Sequence, residues 1–129
     1  MARIENWNPP KLDYTIARYT WDVDYATDVH EGFIRDGIIF PARPWTDDAL
    51  GRVDVEEEFR QAWIDSEDLN ESFRDFAQVI FNEFRVSMAD PIWNWPRDTQ
   101  RKSGEYVEAG NRNIIDTQEL YNSQKLEFE

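Results

Sequence analysis

Apolar and aromatic side chains alternate along the early part of the chain. Thr15, Ala17, Tyr19, Trp21, Val23 and Tyr25 share one parity, and Ile16, Arg18, Thr20, Asp22 and Asp24 occupy the other. In β-branched and aromatic residues that period predicts a half-buried strand within residues 12–25. Residues 26–33 are too short to judge by period, with Gly32 as a stop. Asp36-Gly37 between Phe33-Ile34 and Ile38-Ile39-Phe40 predicts a two-residue hairpin, which Pro41-Ala42-Arg43-Pro44 terminates. A helix is predicted to begin at Trp45-Thr46-Asp47-Asp48, with Thr46 as N-cap and acids in its first turn.

Residues 54–89 carry the helical period. Val55, Phe59, Ala62 and Trp63 lie on one face, and a restart at Ser66 or Asp68 places Asp68 and Glu71 at capping-box separation. Leu69, Phe73, Phe76, Ala77, Ile80, Phe84 and Met88 then form an apolar stripe, which Pro91 ends. Residues 92–110 read as irregular apart from a short strand at Tyr106-Val107. Asp116 or Thr117 is expected to cap one or two turns running to Asn122, and residues 124–129 alternate as a final strand. Asn8-Pro9-Pro10 forbids helix, so residues 1–11 read as an extended arm. The expected fold is α+β: an antiparallel sheet packed against one long amphipathic helix plus a shorter helix, in one domain spanning 1–129.

Composition narrows the functional classes. The chain has 129 residues, 27 Asp or Glu, 14 Lys or Arg and a net charge of −13. Such a charge disfavours sequence-independent binding to nucleic acid and to anionic membranes. Aromatic residues make up 15% of the chain, which argues against disorder and for more apolar surface than one monomer hides. Self-association is therefore expected. With no cysteine, a disulfide framework, a thiolate zinc site and a thiol nucleophile are excluded. No apolar run approaches the ~18 residues of a membrane span, and residues 1–10 lack a signal peptide's apolar stretch, so synthesis in the cytoplasm is expected. Charge is uneven: residues 47–90 carry 13 acidic and 4 basic groups, −9, whereas residues 91–115 carry 4 basic and 3 acidic groups, +1.

Motifs for catalysis are weak. His30 is the single histidine, and His30-Glu31 lacks the second histidine of a zincin helix. A structural histidine is the plainer reading. Asp22, Asp24 and Asp28 do not complete a calcium loop, since Thr27 stands where glycine is needed and Phe33 where the last carboxylate belongs. The five glycines form no phosphate loop. No enzyme activity, metal or cofactor is expected. Trp93, Trp95, Arg97, Arg101 and Lys102 form an aromatic-plus-basic cluster too small for nucleic acid. With Trp7, Pro9 and Pro10 of the arm, they are the candidate subunit contacts.

Two segments carry a more specific likeness. Trp95-Pro96-Arg97-Asp98-Thr99, Arg101-Lys102-Ser103-Gly104 and Arg112-Asn113-Ile114-Ile115-Asp116-Thr117, followed by Leu120 and Ser123-Gln124, resemble a signature of the tail-completion or neck proteins of long-tailed bacteriophages. Tyr25-Ala26 and Val29-His30-Glu31-Gly32, followed by Pro41-Ala42-Arg43-Pro44-Trp45, are similar to a second segment of that family. Gln118 departs from the family's glycine, and the segment order is inverted, as in a circular permutant. If so, the final strand should pair antiparallel with the strand in residues 14–25.

The resemblance implies a structural virion protein of the head–tail junction. It would be a homo-oligomeric ring, six-membered in the family, that contacts other neck and tail proteins while DNA passes through its lumen without specific binding. His30, Gly32, Pro41, Arg43, Trp45, Pro96, Arg112, Asn113, Asp116, Thr117 and Ser123 would be structural residues of the motif. Gly32 is expected at a turn intolerant of a Cβ, and Asp116-Thr117 as a polar cap. Alternatives are a tail terminator capping the tail tube, an acidic protein mimicking DNA to inhibit a nucleic-acid enzyme, and a small hydrolase.

Overall fold

The longest helix organises the molecule because its apolar stripe needs cover on more than one side. In the computed structural model, which describes residues 12–14, 16–116 and 118–129, this helix is α4, Leu69–Ala89. It is preceded by β1 (Ala17–Trp21), α1 (Ala26–Glu31), β2 (Phe33–Arg35), β3 (Ile38–Phe40), α2 (Trp45–Arg52) and α3 (Val55–Ser66). After it come β4 (Trp93–Trp95), β5 (Thr99–Gln100), β6 (Tyr106–Val107), β7 (Gly110–Arg112), α5 (Glu119–Asn122) and β8 (Gln124–Phe128). The fold class is α+β, as the segregation of periods predicts.

The sheet differs from the single layer expected. The described strands form four separate antiparallel ribbons: β1–β8, β2–β3, β4–β7 and β5–β6. Short strands joined by turns bury little surface on their own, so each ribbon leans on the helices or on an aromatic neighbour. The pairing of the final strand with the first is present. Ala17 lies opposite Phe128, Tyr19 opposite Leu126 and Trp21 opposite Gln124. That register puts Tyr19 and Trp21 against α4, where both rings meet Phe84 edge-on at 5.0 and 5.2 Å.

The helix signals read locally. Asp68 caps α4 by accepting from the Glu71 amide at 2.9 Å, and Asp54 caps α3 by accepting from Glu57 at 3.1 Å. Only Glu67 and Asp68 separate α3 from α4, and Phe59 crosses Phe76 edge-on at 5.6 Å. Ser66 and Ser72 seal that junction, hydroxyl to hydroxyl at 2.7 Å. On the other side α2 is held by the Ser87 hydroxyl donating to Asp48 at 2.6 Å and by Arg52 bridging Asp48 and Asp90. Met88, Phe84, Ile80, Trp45, Ala49, Trp93, Ile114 and Leu120 form the buried cluster between them.

Three local expectations need correction, the first being the strand expected over residues 12–25, which is β1, Ala17–Trp21. Helix α2 begins at Trp45 behind Pro44, so Thr46 lies inside its first turn and is not the N-cap. Residues 26–31, left open by the pattern, form helix α1. Residues 92–110, expected to be irregular apart from Tyr106-Val107, hold β4, β5 and the start of β7, whose two- and three-residue lengths are below what an alternation can reveal. The arm, including Trp7, Pro9 and Pro10, and Thr117 lie outside the described residues. Among the described residues no helix is long and apolar enough to cross a membrane.

Candidate functional site

The Asp36-Gly37 turn brings Phe33 and Phe40 face to face, 4.3 Å apart and 5° from parallel. Gly32 precedes this hairpin at φ 76°, and a Cβ there would stand 2.7 Å from the Ala42 nitrogen and 2.8 Å from the Phe40 carbonyl. Only glycine lets the hairpin's return strand come so close. The Arg43 amide then donates to the Val29 carbonyl at 3.0 Å, fixing residues 41–44 against α1. Pro41 and Pro44 are half-buried in this connection, and Trp45, 2% exposed, enters the core.

His30 sits behind that connection. Its Nδ1 faces the Glu31 carboxylate at 2.7 Å, its Nε2 faces the Thr46 hydroxyl at 2.6 Å, and its ring meets Trp45 edge-on at 4.9 Å. Because an ionised carboxylate only accepts, Nδ1 carries a proton and Nε2 can accept from Thr46. Both nitrogens are thus occupied, Nδ1 within α1 and Nε2 in joining α1 to α2. Among the described residues no group of three or more His, Asp or Glu side chains converges as a metal site.

The second motif segment arrives from the other side. In the β4–β7 ribbon Trp93 pairs with Arg112 and Trp95 with Gly110. Trp93 and Trp95 are 8% and 6% exposed. This corrects their expected role as outward subunit anchors: both indoles are interior groups of the monomer. Trp93 Nε1 donates to the Ser87 carbonyl at 2.9 Å and Trp95 Nε1 to the Thr99 hydroxyl at 2.8 Å. Arg97 and Lys102 are less enclosed, with Lys102 over the Tyr25 ring at 5.2 Å and Arg97 over Phe40 at 4.7 Å. Pro96 is exposed.

Trp95 collects cations. The Arg43 guanidinium stands 4.6 Å from its ring centroid, Arg97 5.6 Å and Arg112 5.7 Å. Arg112, 7% exposed, ties the ribbon together by donating to the Arg97, Val107 and Glu108 carbonyls. Arg101 does the same for residues 113–115, donating to the Asn113 carbonyl at 2.9 Å and to that of Ile115. Asp116 accepts from the Lys102 and Ser103 amides at 3.0 and 3.1 Å. It closes this turn and does not cap α5, whose N-cap position is Gln118. Ser123 ends α5 by donating to the Leu120 carbonyl.

Between the two segments lies a cavity of about 360 Å³, lined by Phe33, Phe40, Arg43, Trp95, Arg101, Arg112, Asn113, Ile114 and their neighbours. Its electrostatics are unbalanced. Burial, with Arg101 and Arg112 alongside, pulls the Arg43 guanidinium down from its usual range to about 10. Burial and Arg101 pull Arg112 down as well, with Asp98 and Glu105 acting in the opposite sense. The aromatic-plus-basic run at 93–104 marks one wall in the sequence. The contribution of Arg43 has no local signal, because it depends on the hairpin's return path. Comparison with protein-family models, with curated proteins and with solved structures gives no match for this chain.

Proposed function

We propose that the chain is a structural virion protein of the bacteriophage head–tail junction, a neck or tail-completion subunit that assembles into a ring through which DNA passes. The observation that carries this reading is the convergence of its two motif segments. Arg43 and Phe40 of the first meet Trp95 and Arg97 of the second at 4.6 and 4.7 Å, although the chain places the segments far apart. The β1–β8 pairing supports the permuted order, because it leads from Ser123-Gln124 into the strand before His30 and Gly32, as the family's order would.

Surface chemistry supports self-association. On the β2–β3 hairpin Ile34 is 71% and Ile39 65% exposed, and Arg97 reaches the same hairpin through the Ile39 carbonyl. Apolar side chains standing together in water mark a contact surface. The neighbouring copy is the first partner, and other neck and tail proteins are the next. The acids of residues 47–90 belong on a wall that repels the phosphate backbone, so DNA slides past without being held.

Electron microscopy and light scattering of the purified protein test this. Closed rings, of six copies on the family's pattern, with no DNA retention at moderate salt are expected. Ile34→Asp combined with Ile39→Asp should dissociate the rings and leave the monomer's circular dichroism intact. Rings that cap isolated tail tubes would favour a tail terminator, and a monomer or dimer that inhibits a DNA-processing enzyme would favour the acidic mimic.

A further inference from the structure

We propose that the cavity beside Trp95 binds a carboxylate carried on an apolar body, such as an arylalkanoate or the chain end of an apolar peptide. The inference is independent of the virion reading. The cavity, about 360 Å³, falls in the size range of small-ligand sites, and Phe33, Phe40, Trp95 and Ile114 give it apolar walls.

Its polar groups are what select the ligand. Arg43 donates no side-chain hydrogen bond to a described residue, Arg112 spends its Nη2 on three backbone carbonyls, and both side chains line the cavity. Arg112 is 93% enclosed by the fold, being 7% exposed. Two guanidiniums on the same indole offer what a carboxylate takes, paired N–H donors and net positive charge.

The acids in the lining are outnumbered, Asp28, Asp116 and Glu119 against Arg35, Arg43, Arg101, Lys102 and Arg112. Asp116 is committed to the backbone amides of Lys102 and Ser103, Glu119 accepts from the Tyr25 hydroxyl at 3.3 Å, and Asp28 is exposed. Arg101 has an acid partner only at 3.7 Å, in the largely exposed Glu105.

Titration of the full chain with 3-phenylpropionate, N-acetylphenylalanine, the neutral N-acetylphenylalanine amide and inorganic phosphate tests the assignment. The readouts are calorimetry and the NMR signal of the Trp95 indole N–H. Both acids should saturate with a Kd of about 1 mM or tighter, and the neutral amide should bind at least ~10-fold more weakly. Tighter binding of N-acetylphenylalanine than of 3-phenylpropionate would assign a peptide chain end, and equal binding a free acid. Arg43→Met should abolish the preference for acid over amide. Arg43 donates no side-chain hydrogen bond to a described residue, so this variant should fold, and Arg43→Lys should retain part of the binding. Equal binding of acid and amide, no saturation by either acid, or phosphate binding as tightly as the acids would overturn the proposal.

Discussion

Gln118 and Glu67 hold φ at 70° and 54°, in the left-handed region where an L side chain crowds its own carbonyl. Gln118 stands where the resembled family carries glycine, and its side chain is exposed. Gln118→Gly should therefore stabilise the fold by about 0.5–1 kcal/mol, the relief of backbone strain exceeding the entropy glycine adds to the unfolded chain. A higher urea midpoint at unchanged slope would show it. Gly32→Ala works the other way. Its Cβ meets backbone atoms that cannot turn aside, so a loss of more than ~2 kcal/mol is expected in the same measurement. The two buried indoles of Trp45 and Trp93 also differ. Trp93 Nε1 has the Ser87 carbonyl, whereas Trp45 Nε1 has no partner among the described residues. Trp93→Phe should cost about 1–3 kcal/mol more than Trp45→Phe, because only the first strands a buried acceptor.

The contact of β1 with α4 has an alkaline weakness. The Tyr19 hydroxyl donates to the Ala77 carbonyl at 2.7 Å, and burial pushes the phenol up to about 12. An unfolded tyrosine gives up its proton near 10, so between these values the folded state holds a proton that the unfolded state has lost. Stability present below ~10 is thus lost as pH rises toward 12. Tyr106, raised by its hydrogen bond to Asp98, contributes in the same direction. Tyr19→Phe should flatten most of the decline in urea midpoint across that window. The elements themselves were legible wherever a local rule decides. The stripe of α4, the cap at Asp68 and the Asp36-Gly37 turn follow from spacing alone. The β4–β7 ribbon did not, since the alternation of Trp93 and Trp95 about exposed Asn94 is only three residues long. The same blindness misread those indoles as surface anchors.

At the scale of the whole molecule, the permutation reading predicts that segment order is separable from the fold. A chain reordered as 54–129 followed by 1–53 keeps Asp54 at the start of α3 and carries the β8–β1 connection covalently. It restores the order of the resembled family. It should fold with an unchanged near-ultraviolet spectrum, and failure to refold would sink the permutation reading. The cavity was half legible. The run at 93–104 announced aromatic and basic chemistry, but Arg43 and Arg112 reach Trp95 only after the hairpin and the ribbon have formed. Sequence distance hides such a cluster even when every member has been noticed.

The β1–β8 ribbon also sets how the protein answers force. Ile16 and Glu129 exchange two backbone hydrogen bonds at 2.9 Å, beside the Ala17–Phe128 pair at one end of the ribbon. Tension applied between residues 16 and 129 would open those bonds one pair at a time, as a zipper opens from its tab. Tension between either residue and α4 would instead load the Tyr19 and Trp21 contacts together, in shear. A ring of the kind proposed is therefore better anchored through its helices than through this ribbon.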